Sequence, residues 1–114
     1  MPGRPPAEKL AYVVEFDPER RKSDRLAVVD LDPGSSSYGK IAGNVEVGGS
    51  GDELHHFGWN ACSSCLCPNA PHAHAERRYL VVPGLRSSRI HILDTKPDPR
   101  KPKIVKVIEA EEIA

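Results

Sequence analysis

Short apolar runs alternate with polar turns along the chain, and the runs have the length of β-strands. Leu10–Phe16 (LAYVVEF) and Leu26–Leu31 (LAVVDL) are rich in β-branched residues and are divided by a charged turn over Asp17–Arg25. Asp32-Pro33-Gly34 and the serines after it form a strong turn signal, because Pro presets φ and Gly admits the left-handed region. Tyr38–Val47 resumes as a strand, with a bend or bulge expected at Gly43. After the Gly48–Gly51 loop, Glu53–Asn60 reads as a short strand, followed by an irregular Cys/Pro/His loop to about Glu76. Arg78–Pro83, Arg89–Asp94 and Lys103–Glu109 complete the strands, and only Ala110–Ala114 looks helical, ending without a cap.

The pattern contains an internal echo. Tyr12-Val13-Val14, Arg25–Asp30 and Lys40-Ile41 form one unit, and Tyr79–Val82, Arg89–Asp94 and Lys103–Val105 form another. Each has two hairpin-paired runs, an Asp closing the second, a Pro-containing turn and a third strand. Repeats of this kind describe propeller blades, although a two-sheet sandwich has similar strand spacing. The fold expected is all-β, a partial β-propeller of about one and a half to two blades. Its end strands would leave unpaired edges, so it reads as incomplete on its own. Residues 1–8 (MPGRPPAE) read as a flexible leader and 9–114 as the amino-terminal part of the propeller.

Composition narrows the partners. Sixteen Lys and Arg balance sixteen Asp and Glu, which argues against a dedicated nucleic-acid or anionic-membrane binder. No apolar run reaches the length of a membrane span and no leader signal precedes the first strand, so a cytoplasmic setting is expected. Cys62, Cys65 and Cys67 sit within six positions and no cysteine lies elsewhere. A bridge among them could close only a tiny loop, so metal or redox chemistry is a stronger reading than stapling.

The chemistry concentrates in His55-His56-Phe57-Gly58-Trp59-Asn60-Ala61-Cys62-Ser63-Ser64-Cys65. Imidazole and thiolate are the donors that suit soft and borderline transition metals. On a strand, adjacent His55 and His56 would point to opposite faces, so both reach one metal only if the backbone bends. Cys62 and Cys65 could form a thiol or redox pair, but Pro68 and Pro71 deny them the helix that lowers thiol pKa in dithiol-exchange enzymes. Cys67, His72 and His74 offer an alternative with the first two cysteines, a zinc loop without catalysis. Trp59 is expected to anchor a core or blade interface. His91, alternating with Ile90 and Ile92, is expected to face solvent. Asp30 and Asp94 are expected to cap turns, and Arg86 and Arg89 to be turn-surface charges.

A family likeness runs through these residues. Asp52-Glu53-Leu54-His55-His56-x-Gly58-Trp59-Asn60-x-Cys62-Ser63-Ser64-Cys65 resembles the signature of the selenium-binding protein family, which includes methanethiol oxidases. Arg78–Ile90, Asp98-Pro99-Arg100-x-Pro102-Lys103 and Lys106–Glu109 continue the likeness in order, and Leu26–Pro33 with Ser37–Lys40 extend it upstream. The resemblance implies a β-propeller that converts methanethiol, dioxygen and water to formaldehyde, hydrogen sulfide and hydrogen peroxide, with copper as the metal. His55 and His56 become candidate copper ligands, and Cys62 and Cys65 thiol- or selenium-related residues. A small thiol or a selenium compound becomes the expected partner. Phe57 replaces a Ser of many relatives, and Gly39 replaces a cysteine tied to selenium in some, which puts selenium binding by that route in doubt. The rival readings are a non-catalytic zinc or copper module and a fragment that donates strands to a partner through its edges.

Overall fold

The computed structural model describes residues 7–61 and 76–113, in which seven strands form two antiparallel sheets. The first sheet runs β1 (Leu10–Glu15), β2 (Arg25–Asp30), β3 (Ile41–Glu46), and the second β4 (Gly58–Trp59), β5 (Tyr79–Pro83), β6 (Ile90–Asp94), β7 (Lys103–Ile108). Neighbours in the sheet are neighbours in sequence, so each sheet is a simple meander. A single helical turn, α1 (Ala110–Ile113), ends the described chain; the Glu112 carboxylate accepts the Glu109 amide at 2.9 Å, half of a capping box. No helix among the described residues is long and apolar enough to cross a membrane.

The hairpins form where β-branched runs meet turn residues. The charged turn before β2 winds on Asp17, whose carboxylate accepts the amides of Glu19, Arg21 and Lys22 and is thereby held below the usual carboxylate range. The bulge expected at Gly43 lies there: Val28 pairs with Gly43 and Val29 with Ile41, leaving Ala42 extra. Glycine is required at 43, because a Cβ would collide with the Arg100 carbonyl. The turn before β7 therefore lies flat on the first sheet, and Tyr12 Oη donates to the Pro99 carbonyl at 2.7 Å.

The core lies between the sheets. Leu26, Val47, Leu54, Leu80, Val82 and Leu93 are fully buried there, with Tyr12, Val14, Val45, Phe57, Trp59 and Ile104 packed against them. The parity of these positions distinguishes the two architectures left open by the spacing. In β2 the inward residue is Leu26, the second of its unit, whereas in β6 the inward residues are His91 and Leu93, the third and fifth. The other strands agree: Tyr12 faces in but its counterpart Tyr79 does not, and Ile104 faces in while Ile41 is 60% exposed. Opposite faces of equivalent sheets thus meet, as when blades related by rotation stack around an axis. A two-fold sandwich would bring equivalent faces together. The two sheets are an unclosed piece of propeller.

That parity corrects one expectation. His91 is fully buried, because the second sheet turns its His91–Leu93 face toward the first and leaves Ile90 and Ile92 on the other side. Both faces of β6 are apolar, the pattern of a strand in a stack of sheets.

Candidate functional site

The strand expected over Glu53–Asn60 is broken, and the break shapes the site. Glu53 takes φ +54°, Leu54 makes a single bridge to Gly84, and the His55 amide donates to the Pro83 carbonyl at 3.1 Å. Pairing resumes only at Gly58–Trp59. With the backbone bent, His55 and His56 do not point to opposite faces. Their Nδ1 atoms lie 2.7 Å apart and their ring centroids 4.3 Å apart, so one imidazole donates to the other. His55 is half-buried and His56 exposed.

The spacing of the pair fits a metal. Cis ligands on a metal with metal–nitrogen bonds of about 2.0 Å stand about 2.8 Å apart, so the observed spacing suits two nitrogens sharing one ion. Copper accepts imidazole nitrogen readily. Among the described residues no group of three or more His, Cys, Asp or Glu donors converges, so this pair supplies two positions and further donors would have to come from elsewhere. Cys62, Cys65, Cys67, His72 and His74 lie outside the described residues.

Asn60 sets where the cysteine loop leaves and returns. Its Oδ1 accepts the amides of Arg78 and Tyr79 at 3.0 and 2.9 Å, and its Nδ2 donates to the Glu76 carbonyl at 2.9 Å. The two ends of the segment bearing the CSSC motif are thereby tied together. Trp59 anchors the core as expected: Tyr12 meets it edge-on at 5.6 Å, and the Arg77 guanidinium stands 4.6 Å from its ring centroid while pairing with Glu8 at 2.7 Å. Glu8, Leu10, Tyr12, Phe57, Trp59 and Arg77 line a cleft of about 270 Å³ that begins at the residue after the histidine pair. Burial pushes the Tyr12 phenol up and Arg77 pulls it down.

Beneath the pair lies a buried polar cluster that the sequence reading missed. Asp24 and Asp52 are 1% and 3% exposed. Asp24 Oδ2 accepts the Leu54 amide at 3.0 Å, one residue before His55, and Asp52 Oδ2 accepts the Gly49 amide at 2.9 Å. Burial raises the pKa of Asp24, with Asp52 adding to the effect. Arg89 is no plain surface charge: its Nη1 lies 3.5 Å from Asp52 Oδ1 and its Nε 2.9 Å from Glu109 Oε2. Arg86 reaches Glu53 at 3.5 Å.

Known proteins resemble this chain in sequence and fold. The whole chain, residues 1–114, matches the family model described as 56 kDa selenium binding protein. It is 49% identical over 111 residues to selenium-binding protein 2 of Arabidopsis thaliana, covering 96% of this chain and 22% of that protein. It is 41% identical over 110 residues to the methanethiol oxidase of Mus musculus, covering 95% of this chain and again 22% of the relative. The X-ray structure of a hypothetical selenium-binding protein from Sulfolobus tokodaii is similar with a TM-score of 0.80 and 58% identity, over 95% of this chain and 24% of that one. The chain thus spans about a fifth of the length of these relatives.

Proposed function

This chain belongs to the 56 kDa selenium-binding protein family, and from that premise we propose that it supplies one wall of a copper site that oxidises a small thiol. The observation that carries the reading is the 2.7 Å approach of the two Nδ1 atoms, in a chain 41% identical to a methanethiol oxidase. His55 and His56 would hold the copper, which when bound supplies redox chemistry toward a thiol and dioxygen. The overall conversion proposed for the whole protein is methanethiol plus dioxygen plus water to formaldehyde, hydrogen sulfide and hydrogen peroxide.

The chain's own residues have simpler tasks. The Leu54 amide bond to Asp24 and the His55 amide bond to Pro83 fix the backbone on which the imidazoles stand. Asn60 holds the start of β5 through the Arg78 and Tyr79 amides, which fixes the described ends on either side of the CSSC segment. Phe57, Trp59 and Tyr12 give the neighbouring cleft an apolar face opposite the Glu8 and Arg77 charges, and that face would take the methyl side of a small thiol.

Copper titration of the chain tests the assignment. His55→Ala and His56→Ala are each expected to weaken copper binding about tenfold or more, while Cys67→Ser has no such effect. Stoichiometric zinc lost with Cys62, Cys65 and Cys67, and indifferent to both histidine variants, would replace this reading by the zinc loop.

A further inference from the structure

His91 takes no part in the proposed oxidation, yet it is fully buried against the loop that carries the histidine pair. Its Nδ1 lies 3.2 Å from the carbonyl of Val82, its cross-strand partner. A carbonyl only accepts, so Nδ1 carries a proton. Its Nε2 has no hydrogen-bond partner and stands 3.9 Å from Asp52 Oδ2. In the neutral ring that places two acceptors face to face, away from water. A proton on Nε2 would turn the same contact into a charge-assisted donor–acceptor pair.

We propose that His91 and Asp52 form a buried proton-binding site that tightens the loop beneath His55 and His56. A proton from solvent binds Nε2, and the Nε2–H then draws Asp52 Oδ2 inward to hydrogen-bond distance, about 2.8 Å.

The surroundings fit this role. Asp24, from the approach to β2, is a second buried carboxyl, its pKa raised chiefly by burial and then by Asp52, and its Oδ1 also has no partner. Arg89, at the entry to β6, lies near Asp52 Oδ1 and opposes loading, but Glu109 at the end of β7 draws on the same guanidinium. Glu53 and Arg86 face each other within the loop and on the next turn, and offset one another. Gly48, at φ +70°, keeps the space open: a Cβ there would run into Asp52 Oδ2 and lie 2.8 Å from His91 Nε2. Movement of Asp52 is transmitted because its side chain holds the Gly49 amide and its carbonyl accepts the Arg86 amide at 3.1 Å. The next residues, Glu53 and Leu54, lead directly into His55.

The inference rests on the proposed function only for what the histidine pair does; the proton site itself involves no metal. The test is a titration of the metal-free chain from pH 8 to pH 5, following histidine ring nitrogens and backbone amides by NMR, with His91 assigned through His91→Gln. His91 is expected to pass from the Nδ1-protonated neutral ring to the imidazolium, and the Gly49 and Leu54 amide signals to shift in step with it. In Asp52→Asn those two amides no longer follow His91. A ring that stays neutral over the whole range, or one that titrates while Gly49 and Leu54 stand still, overturns the proposal. The wild-type titration decides this even if Asp52→Asn fails to fold. Copper titration reads the histidine pair separately, so failure of either idea leaves the other result legible.

Discussion

β2 and β6 hold equivalent places in two copies of one motif and both end on aspartate, but the two carboxylates are held by different chemistry. Asp30 accepts the hydroxyls of Ser35 and Ser37 and the amide of Asp32, all within seven residues of itself. Asp94 takes a two-pronged guanidinium from Arg78 on the approach to β5, at 2.8 and 2.6 Å, together with the amide of Lys96. Each is brought to a pKa of about 2, Asp30 chiefly by the hydroxyls and Asp94 chiefly by Arg78. The place in the motif calls for an acid that gathers donors where the second strand turns. Which donors it gathers decides whether it organises only its own turn, as Asp30 does, or also ties two strands together, as Asp94 does.

The largest way to test the equivalence of the copies is through their parity. Leu93→Ala should cost about 2–5 kcal/mol of unfolding free energy, because Leu93 is fully buried between the sheets. Ile92→Ala, on the face turned away, should cost clearly less. In β2 the order inverts: Val28→Ala should cost about 1.5 kcal/mol, two buried methyl groups, and Val29→Ala less. Denaturant unfolding of the four variants measures this. If the same member of each pair proved the costlier in both strands, the rotational stacking of the copies would be wrong.

What the sequence revealed follows the same division. The strands, the bulge near Gly43 and the acid-closed turns were legible because each rests on contacts within a few residues or on a period of two. The inward face was not legible in β6, since Ile90, Ile92 and Leu93 make both faces apolar and only stacking decides which is buried. The histidine pair shows the same limit. Both residues stood out in the sequence, but their approach depends on a left-handed Glu53 and on a lone bridge to Gly84, features without a compositional mark. Asp24 and Asp52 went unread because an acid in a polar loop looks the same whether it is solvated or buried. Only the long-range bond from Asp24 to the Leu54 amide distinguishes it.

A smaller effect sharpens the comparison at the loop between the copies. Gly48→Ala places a side chain at positive φ and drives it against Asp52 and His91. A loss on the order of 1–3 kcal/mol is expected. Hydrogen exchange should quicken at Gly49 and Leu54, whose amides depend on Asp52 and Asp24, before it quickens in β5 or β6. Uniform loss of protection over both sheets would mean that the loop has no separate identity and is simply part of the core.

The smallest effect separates the two closing aspartates. Both fall from the usual 3.8 to about 2, so between those values the unfolded chain binds protons that the folded chain refuses. Their stabilisation is complete above about pH 4 and is lost as the pH falls through about 2. Asp24 has the opposite sign: its pKa is raised, so its effect on stability becomes less favourable as the pH rises above 3.8. Acid titrations of Tm should therefore show a shallower drop in both Ser35→Ala/Ser37→Ala and Arg78→Gln. Salt then distinguishes them. An ion pair with a partly exposed guanidinium is screened, whereas hydroxyl bonds to a carboxylate are hardly affected. Added sodium chloride should lower Tm by a few degrees in the wild type and in the serine variant, and by less in Arg78→Gln. An equal salt response in all three proteins would show that Arg78 holds Asp94 by the geometry of its two hydrogen bonds and not by its charge, and the two copies would then close in the same way.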